Sequence, residues 1–153
     1  MQLEFCDYQI NDLGVCVYQI GEAKLIFNNE LHWLVSYKNE TLSFFELNNP
    51  QPLYFLYPLF EVDRALVYTH LNAVAQRYLF KKEISNDFPE LVIMQHVLEH
   101  SVTDYWPLKA LEWLESSSNF NAQIKDQLNA LHQKSWASQK LKHKARFLLK
   151  KFS

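Results

Sequence analysis

Two glycines in 153 residues leave no material for the glycine-rich loops that cradle phosphates, and neither a P-loop nor a G-x-S-x-G elbow is present. Two cysteines, Cys6 and Cys16, fall short of a disulfide framework, and no Cys/His spacing matches a zinc finger. Neither cysteine has a histidine near it in sequence, so a buried strand cysteine is the commoner expectation than a nucleophile. Long apolar runs are missing too. The most apolar stretch, "LYFLYPLF" at residues 53–60, is interrupted by Pro58 and far below the ~18–20 residues that span a bilayer. The opening "MQLEFCDYQI" carries acids where a secretory signal would carry bases, and the sequon "NET" at 39–41 has no meaning without such a signal. The expectation is a soluble cytoplasmic protein with no membrane partner and no cofactor.

What is present is core material and a lopsided charge. With 48% hydrophobic and 15% aromatic residues, a chain of this length can bury a single core. The net charge is −2. Residues 1–63 carry nine acids against Lys24 and Lys38, a net of −7. Residues 64–130 carry eight acids against six bases, and residues 131–153 carry seven bases and no acid. Such asymmetry points to charged partners at one or both ends.

The first third predicts antiparallel strands. "GVCVYQIGEAKLIFNNELHWLVSYKNETLSFFEL" is β-branched and aromatic between short breaks at Gly21-Glu22, Asn28-Asn29 and Lys38-Asn39-Glu40. Leu31, Trp33, Val35 and Tyr37 alternate with His32, Leu34 and Ser36, as a strand with one buried face requires. With "LEFCDYQI" ahead of them, five strands form a meander. "NNPQP" at 48–52 ends it, because consecutive Asn and Pro cannot continue a ladder.

After that the period is helical. "PLFEVDRALVYTHLNAVAQRYLF" predicts a helix opened by Pro58, apolar nearly all round and therefore buried. "DFPE" (Asp87 to Glu90) has the form of a capping box, Asp104 precedes a helix with Pro107 in its first turn, and Asn119 and Ser135 stand as caps of the last two helices. The expectation is one α+β domain over 1–153, with an antiparallel meander of about five strands within 1–50. About five helices follow over 58–153, the last ones as αα-hairpins.

Two places carry chemistry. "HVLEH" (His96 to His100) resembles the inverted zinc-peptidase motif, in which two histidines four apart bind zinc and the glutamate between them activates a metal-bound water. His96, Glu99 and His100 would share the polar face of their helix, with Glu112 or Glu115 as candidate third ligand. The likeness covers five residues, and that family uses a much larger chain; histidine at a helix C-terminus also suits the dipole.

The other place is "WASQKLKHKARFLLKK" at 136–151. At 100° per residue, Ala137, Leu141, Ala145, Leu148, Leu149 and Phe152 form one apolar face and the cations take the rest. That is the pattern of a helix capping a fold with its lysines in water. Phe147 disturbs it, because it falls among Lys140, His143, Lys144 and Lys151, where it would stack on a base, anchor a protein or be covered by another segment. Nucleic-acid binding is disfavoured here: no known module is present, and the acidic first third would repel phosphates.

"KLKHKARFLL" at 140–149 is similar to the second helix of HEAT-like repeats. With the aromatic-rich meander and the acidic first half, the chain resembles bacterial toxin-immunity proteins, including those of contact-dependent inhibition systems. The resemblance implies a cytoplasmic, non-catalytic inhibitor that binds one cognate toxin, a basic nuclease for instance. Glu22, Glu30, Glu40, Glu46, Glu61 and Asp63 are the acids expected to meet such a partner, with Phe147 as a further contact. A zinc-dependent hydrolase at residues 96–100 and a nucleic-acid binder at the basic helix stand as alternatives.

Overall fold

The computed structural model describes residues 2–30, 32–44, 51–78, 83–117 and 120–152, and divides the chain into two compact units, Met1–Pro89 and Glu90–Ser153. Glu46, Leu31 and Asn119 lie outside the described residues. The fold class is α+β. The first unit begins with five antiparallel strands in sequential order, β1 (Leu3–Ile10), β2 (Gly14–Ile20), β3 (Ala23–Phe27), β4 (Trp33–Tyr37) and β5 (Glu40–Ser43). The connections fall where short polar breaks interrupt the apolar runs. Gly21 takes the positive φ (58°) that a two-residue hairpin needs. At Gly14 a Cβ would fall on the Phe27 carbonyl oxygen of the neighbouring strand. Trp33 and Val35 are buried as the alternation of β4 predicts, whereas β2 is buried along nearly its whole length.

The rest of the first unit comprises α1 (Gln51–Tyr54), a 3-10 turn (Tyr57–Glu61), α2 (Arg64–Arg77) and α3 (Glu83–Asn86). The single helix expected from Pro58 is thus two elements. Pro58 sits in the first turn of the 3-10 segment, the chain extends at Val62, and Asp63 starts α2 by accepting from the Ala65 N–H at 2.9 Å. Nor is α2 buried all round. It buries Val67, Leu71, Val74 and Ala75 and leaves Leu66 exposed, so one stripe faces the unit's interior. The Tyr18 hydroxyl donates to the Val67 carbonyl at 2.6 Å, and the Trp33 indole N–H to the Ile84 carbonyl at 3.2 Å. Phe88 closes the cluster edge-on to Tyr18, Trp33 and Tyr68.

The second unit holds α4 (Glu90–His100), α5 (Tyr105–Ser116), α6 (Ala122–Ala130), a 3-10 turn (Leu131–Gln133) and α7 (Gln139–Lys151). Among the described residues, α2, α4, α5, α6 and α7 are the α-helices of more than four residues. In the second unit α4 packs on α5 and α6, and α7 packs on the same two, so the four helices enclose one core as two hairpins. Ile93, Met94, Val97, Leu111, Leu114, Ile124, Leu128, Leu141 and Leu148 fill it. α4 opens at Glu90, three residues after Asp87. Two expected caps fall elsewhere. Asn121 caps α6 by accepting from Ile124 N–H, and Ser138 rather than Ser135 caps α7 by accepting from Leu141 N–H. The intervening residues make a turn, with the Ala137 N–H bonded to the Lys134 carbonyl, which delays the helix by three positions. Asp104 stands ahead of α5 without capping it. Its carboxylate accepts from the Ser138 N–H at 3.0 Å and so ties the starts of α5 and α7 together.

Candidate functional site

The strand register sorts the acids by place. Leu3 faces Ile20, so the start of β1, the Gly21-Glu22 turn and the Lys38-Asn39 turn ahead of Glu40 share one end of the sheet. Glu30 lies in the loop between β3 and β4, at the opposite end with Asn11 to Leu13. Glu61 joins the first group: it lines an open groove of about 310 Å³ with Gln2, Leu3, Pro58 and Val62. Glu22, Glu40 and Glu61 are all exposed. Asp63 is exposed as well, and its carboxylate caps α2. The six-acid group expected from sequence therefore resolves to three acids at one end, one at the other, one helix cap, and Glu46, which lies outside the described residues.

The same unit holds a feature the sequence did not announce. The pairing of β1 with β2 shifts between Phe5 and Tyr8, and that of β2 with β3 shifts between Cys16 and Tyr18. Such bulges take carbonyls out of the regular ladder. His70, on α2, places Nε2 at 2.8 Å from the Cys6 carbonyl and 3.1 Å from that of Val17. Both partners are acceptors, so that nitrogen carries the proton and donates. Phe5, 45% exposed, stacks on the His70 ring at 4.7 Å. A histidine inside an otherwise apolar helical stretch was the available signal. Beneath this, Cys6 and Cys16 are free and buried. Burial above all, then the neighbouring Cys16, pushes the Cys6 thiol up to about 12, and burial raises Cys16 too. Protonated thiols at neutral pH are poor nucleophiles.

His96, Glu99 and His100 do not form one polar face. His96 is 6% exposed and packed into the unit's core, while Glu99 and His100 are in solvent. The two imidazoles lie 4.4 Å apart, centroid to centroid. Burial, and then the charge of His100, lowers His96 to about 4. Of the candidate third ligands, Glu115 is ion-paired with Lys144, and Glu112 lies 3.8 Å from Lys109. Among the described residues no group of three His, Cys, Asp or Glu side chains could hold a metal ion. A catalytic zinc takes three protein ligands.

Phe147 is 48% exposed, on the face of α7 opposite the buried Leu141, Ala145 and Leu148. It stands as a ridge between two grooves. One, of about 380 Å³, runs between α5 and α7 and is lined by Leu108, Glu112, Glu115, Lys140, His143, Lys144 and Phe147. Here Lys144 bonds the Glu115 carboxylate and Lys151 donates to the Glu115 carbonyl at 3.1 Å. The Lys144 hydrogen bond, with its charge and that of Lys151, holds the Glu115 carboxyl below its ordinary value. The other groove, of about 280 Å³, is lined only by His143, Arg146, Phe147 and Lys150.

No helix among the described residues is long and apolar enough to cross a membrane. Set against known family models, curated proteins and solved structures, the chain matches none.

Proposed function

We propose that this chain is a non-catalytic, protein-binding inhibitor of the immunity-protein kind, acting in the cytoplasm on a basic toxin domain that docks against the acidic end of the sheet. The observation that carries the reading is the groove at Glu61: a carboxylate among Leu3, Pro58 and Val62, at the end of the sheet that also bears Glu22 and Glu40. An arginine or lysine entering it would lay its aliphatic stem on apolar walls and bring its charge to Glu61. The surrounding field has the same sign. Residues 1–89 hold eleven acids against six bases, a net of −5, which would steer a basic partner and raise its association rate. Exposed Phe5 and Tyr8 on β1 supply aromatic area of the kind that dominates binding energy.

The test compares wild type with the triple variant Glu22→Lys, Glu40→Lys, Glu61→Lys, each used to capture partners from the host lysate over a range of salt. The expected partner is basic and stoichiometric, and it is toxic when expressed alone and harmless when co-expressed with this chain. The triple variant should bind it on the order of tenfold more weakly, with a flatter salt dependence. Unchanged affinity and salt slope would remove the acidic face from the mechanism. A captured partner whose activity persists in the complex would remove inhibition.

A further inference from the structure

We propose that the outward face of α7 binds single-stranded nucleic acid, one base stacking on Phe147 and the flanking phosphates resting on Arg146, Lys150 and His143. This face belongs to the second unit, and the inference does not rest on the inhibitor reading.

The helix period divides the basic side chains around Phe147. At 100° per residue, Lys140, Lys144 and Lys151 fall on one side of the ring and His143, Arg146 and Lys150 on the other. The structure separates the two sides by what they meet. Lys144 and Lys151 turn to Glu115 on α5, and Lys144 also lies 5.7 Å from the Phe147 centroid. On the outward side, no carboxylate among the described residues pairs with Arg146 or Lys150. The acids that line the α5 groove thus have partners within the unit, Glu115 with Lys144 and Glu112 at 3.8 Å from Lys109, while the outward groove is lined by no acid. Residues 90–153 carry nine lysines and arginines against six acids, a net of +3, so the unit as a whole attracts anions.

Geometry selects the class of anion. An extended acidic peptide needs backbone donors and acceptors from its host, or an apolar pocket for its anchor side chain. Mid-helix, α7 has its backbone bonded internally, and the outward groove offers one ring among cations. A nucleic-acid strand asks for what is there: a flat aromatic surface, since every base has a π-face, and positive charge beside it. His143 to Lys150 spans about 10 Å along the helix axis, the reach of a short strand segment. A duplex keeps its bases stacked on one another and cannot use Phe147 in this way.

Fluorescence anisotropy with a labelled oligothymidylate of about a dozen nucleotides tests the assignment, between about 50 and about 200 mM salt. Phe147→Ala removes an exposed ring, so folding should be retained, as circular dichroism checks. Affinity should fall by between about fivefold and about a hundredfold with an unchanged salt slope. Arg146→Ala with Lys150→Ala should instead flatten the slope of log K against log salt by about 1.4, about 0.7 for each phosphate contact. Absence of binding at low salt overturns the proposal. So does a Phe147→Ala variant that binds like wild type, or equal affinity for a duplex of the same length. Preferential binding of a polyglutamate peptide carrying an aromatic residue would assign the face to an acidic protein instead.

Discussion

The burial of His96 makes the helical unit sensitive to mild acid. Its imidazole is 6% exposed and sits lower than the ordinary 6.5, at about 4, because charging it inside the core is costly and His100 stands beside it. The unfolded chain then binds the proton more readily than the folded one. Stability from this group is complete above pH 6.5, declines as pH falls through the window down to about 4, and is fully lost below it. A shift of this size corresponds to at most about 3 kcal/mol, a large share of the ~5–15 kcal/mol that holds a domain together. Glu115, held low chiefly by its hydrogen bond from Lys144, acts in the same direction but only below the carboxylate's ordinary 4.5. The two effects therefore separate in pH. Urea unfolding at several pH values, followed by tryptophan fluorescence, should show wild type losing most of its His96 contribution between pH 6.5 and 4.5. The variant His96→Leu fills the same space without titrating, and its difference from wild type should change over that window. A flat difference would refute the reasoning. So would an NMR titration placing the folded His96 imidazole near 6.5.

Two further substitutions test the packing. Tyr18→Phe deletes the hydroxyl that bonds the Val67 carbonyl and should lower the urea-derived stability of the sheet unit by about 0.5–1.5 kcal/mol; no change would mean that this hydrogen bond adds nothing net to the packing of α2 on the sheet. Asn121→Ala removes the cap of α6 and should cost about 1 kcal/mol, with Asn121→Gly milder by comparison. Equal losses in both would point to something other than the side-chain hydrogen bond.

The meander was legible because each of its signals is local. Gly21-Glu22 and Lys38-Asn39 are turn chemistry between apolar strands, and the register follows from them. The helices of the second unit were legible from their stripes, down to the buried Leu141, Ala145 and Leu148 of α7. Caps were not, since an asparagine two positions on or a serine three positions on competes for the same role. Ser138 wins over Ser135 because the turn through Ala137 must be completed first. The split at Val62 was hidden for a similar reason: an apolar run reads as one helix until Asp63 is seen to restart it. The triplet at 96–100 misled more deeply. Spacing places His96 and His100 one turn apart, but only packing decides that the first is in the core and the second in water. The groove at Glu61 joins Leu3 to Pro58, and no window along the sequence contains both.

The distribution of charge along α7 argues that its basic face has a use beyond solubility. Cations in the last turn of a helix favour the dipole by about 0.3–1 kcal/mol each, which gives Lys150 and Lys151 a reason within the fold. Lys140 and Lys142 sit in the first turn, where the same dipole opposes them, and no acid accompanies them there. A helix arranged for stability alone would carry acids at that end. The cost is incurred at both positions, and Lys140 lies within about 20° of Phe147 around the helix. Exposing an aromatic ring is a second unfavourable choice on the same surface. Lys140 flanks the ring on the side of the α5 groove and Arg146 and Lys150 flank it on the other, so charge and ring meet on the surface where the proposed nucleic-acid contact would use both.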